Sequence, residues 1–85
     1  MKVVYLPSAK RDLKRLPKEQ IYRTHSAIKQ LEQQPYGNGD VRKLHGEENQ
    51  YRLRGGDYRV IYEIDAKAKT VYVMHIRHRK DSYKN

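Results

Sequence analysis

From Tyr51 to His78 the chain alternates with a period of two. YRLR (51–54) sets Tyr and Leu against Arg, and YRVIYEI (58–64) and TVYVMHIRH (70–78) are rich in Val, Ile and Tyr. Two turn signals divide them, Gly55-Gly56-Asp57 and the stretch 65–69. Alternating runs joined by loops this short close into hairpins, because the loop leaves no room for a crossover. The pattern predicts three consecutive antiparallel strands, and whatever precedes residue 50 must cover one of their faces.

The first half supplies that cover. Val3-Val4-Tyr5-Leu6 reads as a short strand, stopped by Pro7-Ser8, with Ser8 placed to cap a following helix. Ala9, Leu13 and Leu16 then recur at helical spacing, with Lys10, Arg11, Lys14 and Arg15 outward. Pro17 interrupts this pattern; proline is tolerated only in the first turn of a helix, so a second helix starts there. Ile21, Thr24 or Ala27, Ile28 and Leu31 form its apolar stripe, and it ends before Pro35. Each helix is too short to be stable alone and needs the sheet. YGNGD (36–40) reads as a loop, followed by RKLHG (42–46) and a polar stretch to Gln50. The predicted architecture is α+β: one domain over residues 1–85, order β-α-α-β-β-β, a helical hairpin on one face of a mainly antiparallel sheet.

Alternation also says where the arginines point, since successive strand side chains leave by opposite faces. Tyr51, Leu53, Val60, Tyr62 and Ile64 take the helix-covered face. On the last strand Tyr72, Met74 and Ile76 make the natural core set, which puts Val71, Val73, His75, Arg77 and Arg79 on the second face. That second face then carries Arg52, Arg54, Arg59, Arg77 and Arg79, with only Glu63 and Asp57 to offset them. Arginine keeps its charge, and its planar fork grips phosphate with two parallel hydrogen bonds.

The whole composition agrees with a polyanionic partner. Nineteen Lys and Arg against ten Asp and Glu give +9, with a pI near 9.9. The excess is spread along the chain: 8 basic and 4 acidic residues in 1–41, 11 and 6 in 42–85. A basic tail is thereby excluded. Eight tyrosines stand with no Phe or Trp, which suits half-buried positions and stacking on bases. There is no cysteine, so neither a disulfide framework nor a thiolate metal site is available. No run approaches the ~18 apolar residues of a membrane span. The opening MKVVYLPSAKRD has an apolar run too short for a signal peptide, so a cytoplasmic setting is expected. His75 and His78 are three apart on one strand and face opposite ways, without acidic partners at ligand spacing, so no metal site is expected. No Ser-His-Asp arrangement and no glycine-rich phosphate loop opening a helix is evident.

Three segments together carry a family resemblance: KLHG (43–46), YRLRGGDYRVIYEID (51–65) and HIRHRKDSY (75–83). In combination they resemble the RelE branch of the RelE/ParE toxin superfamily, over nearly the whole chain. The resemblance implies the toxin half of a type II toxin–antitoxin pair, with a RelE-like fold and a cognate antitoxin as partner. It implies a metal-independent, cofactor-free endoribonuclease that cuts mRNA in the ribosomal A site. The ribose 2′-OH attacks the adjacent phosphorus, leaving a 2′,3′-cyclic phosphate and a 5′-OH.

On that resemblance Arg52 and Arg54 match the paired basic positions near the scissile phosphate. Arg59 matches a phosphate-stabilising arginine, and Arg79 a further basic position, with Arg77 its neighbour on the same face. Tyr83 matches a C-terminal tyrosine that stacks on a base or takes part in proton transfer. Lys43, Arg77 and Lys80 are expected RNA contacts. Many relatives carry lysine where Arg52 and Arg54 stand. Arginine does not lose its proton at accessible pH, so neither serves as general base here. Catalysis then rests on alignment and charge stabilisation, with Tyr83 and His75 or His78 as proton-transfer candidates. The alternative is a ParE-like toxin that inhibits DNA gyrase without catalysis, because one fold serves both.

Overall fold

The computed structural model describes residues 1–80 apart from Asn38 and Glu47; Tyr83 and the rest of 81–85 lie outside it. Five strands and two α-helices form the fold: β1 (Lys2–Tyr5), α1 (Pro7–Lys14), α2 (Lys18–Lys29) continued by a 3₁₀ turn (Gln30–Glu32), β2 (Val41–Lys43), β3 (Gln50–Gly55), β4 (Tyr58–Asp65) and β5 (Thr70–His78). The strand order is β1-β5-β4-β3-β2. β1 lies parallel to β5 and every other pairing is antiparallel. This is the α+β fold expected, with both helices on one face of a mainly antiparallel sheet. Among the described residues no helix is long and apolar enough to cross a membrane.

The core lies between helices and sheet. Ala9, Ile28 and Leu31 from the helical layer meet Leu53, Val60, Tyr62, Ile64, Val71, Val73 and Ile76 from the strands. Burying a Val, Leu or Ile side chain contributes roughly 1.5–3 kcal/mol, which explains why helices this short persist. Tyr62 is fully buried, and its hydroxyl donates to the Pro35 carbonyl at 2.8 Å. Tyr51 stacks on Tyr62, and Tyr36 meets Tyr51 edge-on. Tyrosine thus does the work of the missing phenylalanines, with its polar end satisfied.

Four details differ from the sequence expectation. The stretch 41–43 is a strand, β2, which pairs with β3; three residues with one apolar side chain carry too little local signal to announce it. Gly37 makes that pairing possible. Its φ is +79°, and a Cβ there would meet the Val41 side chain at 2.3 Å.

The second difference lies on β5. The core residues are Val71, Val73 and Ile76, whereas Tyr72 and Met74 are only half-buried. The cause is a bulge: Ile61 pairs with His75 and Tyr62 with Val73, so Met74 is an extra residue and the inward phase changes. Third, Ser8 does not cap α1, which starts at Pro7 after Leu6. Its hydroxyl donates instead to the Met74 carbonyl at 2.6 Å. Asp12 Oδ2 accepts the Ile76 N–H at 3.0 Å. β1 covers β5 only as far as Val73, so α1 satisfies the edge of β5 that β1 leaves bare.

Candidate nucleic-acid interface

Register places the arginines. Arg54 pairs with Arg59, and Arg59 with Arg77, so these three form a row across β3, β4 and β5. One step along the strands a second row crosses the sheet: Arg42 on β2, Arg52 on β3, Ile61 on β4 and His75 on β5. All of these leave by the face opposite the helices. Directly opposed side chains in an antiparallel pair lie about 5 Å apart at Cβ, and like charges there are destabilising. Three such pairs occur here: Arg42 with Arg52, Arg54 with Arg59, Arg59 with Arg77. Among the described residues none of the five arginines forms an ion pair.

Arg59 is the centre of the first row and the fourth departure from expectation. It lies on the open face yet is only 6% exposed. Its Nη1 donates to the carbonyls of Gly56 and Tyr58, each at 3.1 Å. The side chain is therefore folded back over its own hairpin turn, where Gly56 takes φ +61°. A guanidinium has five donors, and Nε and Nη2 have no protein partner among the described residues. A buried arginine normally has an anionic partner. Among the described residues Arg59 has none.

The histidines separate as alternation requires. His75 shares the arginine face, and its Nδ1 lies 3.9 Å from Asp12 Oδ2, the pair being partly exposed. His78 pairs with Tyr58, on the helix side of the sheet. Its ring meets Tyr58 edge-on and its Nδ1 accepts the Lys80 N–H at 3.2 Å. Asp12 had no visible link to the site in the sequence. It sits on α1, 63 residues before His75, and only the packing of α1 on β5 joins them.

The expected site residues divide into three groups. Arg52, Arg54, Arg59 and Arg77 share the open face. Arg79 and Lys80 are exposed just past β5, and the Arg79 N–H donates to the Asp57 carbonyl at 2.7 Å, which ties it to the hairpin turn beside Arg59. Lys43 pairs with Tyr51, so β2 sends it to the helix side and sends Arg42 to the arginines. Tyr83 falls outside the described residues.

The far end of the open face is different. Glu63 pairs with Tyr72 and Gln50 there. A cleft of about 380 Å³ is lined by Asn49, Glu63, Asp65, Lys67 and Tyr72, among others. Charge thus changes sign along β4, from Arg59 to Glu63 and Asp65. Among the described residues no three His, Asp or Glu side chains gather in a group able to hold a metal ion.

A small sheet with helices on one face and arginines on the other is an architecture that this chain shares with toxins of type II toxin–antitoxin systems. The family model described as ParE toxin of type II toxin-antitoxin system, parDE, matches residues 3–83, and the chain belongs to that family, within the RelE/ParE superfamily. It is 30% identical over 86 residues to Toxin RelE3 of Methanocaldococcus jannaschii, covering 98% of this chain and 96% of that one. The toxin–antitoxin complex RelBE2 from Mycobacterium tuberculosis has a chain that superimposes with a TM-score of 0.80 at 28% identity, covering 92% of this chain and 96% of that one. The archaeal RelE–RelB complex from Pyrococcus horikoshii gives 0.80 at 33%, covering 92% and 93%.

Proposed function

We propose that this toxin is a ribosome-dependent, metal-independent endoribonuclease that cuts mRNA in the A site and stops translation. It works in the cytoplasm as a single domain, and a cognate antitoxin neutralises it by covering the basic face. The observation that carries the reading is Arg59: buried, bonded to its own turn, and flanked by Arg54 and Arg77 with no carboxylate paired to any of them among the described residues. Such a row is costly in a free protein and suits a phosphate that gains negative charge.

In the reaction the 2′-oxygen forms a bond to the adjacent phosphorus and the bond to the 5′-oxygen breaks. The 2′-OH proton must leave and the 5′-oxygen must gain one. Arg54, Arg59 and Arg77 offset the charge of the phosphorane, an effect strongest in a preorganised, water-poor site. Arg52, one step along β3, helps hold the strand in line for the displacement. His75 accepts the 2′-OH proton. Asp12 Oδ2 lies 3.9 Å from Nδ1 rather than Nε2, and Asp12 is itself held by the Ile76 N–H. Arg79 and Lys80 stand exposed just past β5 and contact RNA; Tyr83, which the family resemblance brings in, stacks on a base.

The test is induced expression with and without the neighbouring antitoxin gene, followed by mapping of mRNA 5′ ends. Codon-phased cuts that vanish in Arg59→Ala support the reading; arrest that persists in Arg59→Ala with intact mRNA overturns it. The family model that matches the chain bears the ParE name, which supports a second reading: a toxin that inhibits DNA gyrase. Arrest with DNA damage and uncut mRNA is its signature.

A further inference from the structure

We propose that Arg42 and Arg52 form a second phosphate subsite, which holds the RNA phosphate neighbouring the one seated at Arg54, Arg59 and Arg77. The inference rests on the RNA-cleaving reading above and adds to it the path of the strand.

Three observations carry it. First, Arg42 and Arg52 are directly opposed on β2 and β3 and neither has an ion-pair partner among the described residues. Asp40 lies just before β2 and still pairs with neither. A chain gains nothing in stability from this arrangement, since like charges face each other across the ladder. Second, the distance is right. Arg42 stands two strands and one two-residue step from Arg59, about 12 Å at the backbone from strand spacing and rise. Arg59 is held at its own turn, so Arg42, leaning inward from the β2 edge, is the side chain that reaches the neighbouring phosphate. Third, the path along β4 is closed by charge. A polyanion continuing along β4 from Arg59 meets Glu63 and Asp65, whereas one crossing to β2 meets Arg52 and the exposed Arg42. The strand therefore crosses the sheet toward its β2 edge.

The subsite binds phosphate, not base, so it sets register and affinity without sequence preference. It also explains why Arg42 escapes a reading of the sequence. In RKLHG it looks like a loop residue, and only the pairing of β2 turns it toward Arg52.

The test uses 2′-O-methyl oligoribonucleotides, which cannot be cleaved by 2′-OH attack. A dinucleotide has one phosphodiester and a tetranucleotide has three. Binding of each to the purified toxin is followed by NMR titration across a series of salt concentrations. For single strands the slope of log K against log salt is about −0.7 per phosphate neutralised. Arg42→Ala is expected to reduce the tetranucleotide slope by about 0.7 and leave dinucleotide binding unchanged. Arg42→Lys restores the slope. Arg42→Gln keeps the stem of the side chain and serves as a second neutral variant should the alanine protein fold poorly.

If Arg59→Ala weakens both ligands while neither neutral Arg42 variant changes the tetranucleotide slope, the subsite is wrong and the functional reading stands. If Arg42→Ala weakens the dinucleotide equally, the two rows form one site and the subsite is again wrong. If Arg59→Ala leaves both ligands bound as tightly as before, the subsite and the functional reading fall together.

Discussion

Arg59 and Val60 are neighbours on β4 and nearly equally buried, 6% and 1% exposed. They reach that state by unlike routes. Val60 is covered by the helical layer, and its burial removes apolar surface from water. Arg59 is folded back on its own hairpin, whose carbonyls take Nη1, and it brings a charge into a row of like charges. One face of the sheet spends its alternate positions on stability. The other spends them on opposed like charges that stability alone does not explain. A sheet suits both because adjacent residues on a strand are independent in direction yet rigidly spaced.

That contrast is open to attack, beginning with the core face. Tyr62→Ala removes a fully buried ring that stacks on Tyr51 and bonds Pro35, and is expected to cost about 3–5 kcal/mol. Urea unfolding measures the loss; a cost below about 1 kcal/mol would mean that the tyrosine cluster is not the core. Arg59→Ala is expected to keep the fold and lower cleavage about 10²–10³-fold on programmed ribosomes. If its midpoint falls as far as that of Tyr62→Ala, Arg59 belongs to the scaffold, and the distinction between the faces collapses.

Proton balance separates the faces as well. Burial pushes the Tyr5 hydroxyl up to about 12, and burial with the neighbouring Tyr51 also pushes Tyr62 up. An ordinary tyrosine ionises near pH ~10, so above that pH the unfolded chain releases protons that the native core keeps. Stability from these groups is present in full below pH ~10 and falls as pH rises through about 12. Unfolding midpoints at several alkaline pH values should show the decline. Tyr62→Phe should flatten it, at the cost of about 1 kcal/mol for the lost bond to Pro35. An unchanged slope in that variant would assign the decline elsewhere.

The smallest expected effects fall at the seam between the faces. Asp12→Asn removes the charge beside His75 and weakens the bond from Ile76 N–H. It is expected to cost about 1 kcal/mol at most and to speed amide exchange at Ile76. A change in the pH–rate profile that His75→Gln reproduces would tie Asp12 to the histidine. Arg54→Ala is expected to change stability by no more than about 0.5 kcal/mol, with the sign toward a gain, because it relieves one opposed pair.

Much of this is legible in the sequence. The hairpin 51–64, the helical hairpin bounded by Pro7, Pro17 and Pro35, and the outward set Arg52, Arg54, Arg59 and Arg77 all follow from period and punctuation. Three things did not follow. β2 has one apolar residue in three, so its strand character comes from pairing with β3 and its faces were unassigned. That sent Lys43 to the helix side and hid Arg42. The β5 bulge shifts phase at Met74, and a run such as TVYVMHIRH, with apolar residues on both phases, offers no sign of which residue is extra. The bond from Asp12 to β5 joins residues 64 apart.

Local chemistry, then, determined the elements and which residues of a hairpin leave together: Cβ direction alternates on every strand, and proline and glycine end elements for reasons confined to one or two residues. Tertiary structure alone decided which groups meet. Whether β2 turns Arg42 or Lys43 toward Arg52, whether Val73 or Met74 enters the core, and whether Asp12 reaches His75 are all set by register and by how a helix lies on a sheet edge. Those are long-range choices, made by the sum of packing over the whole core.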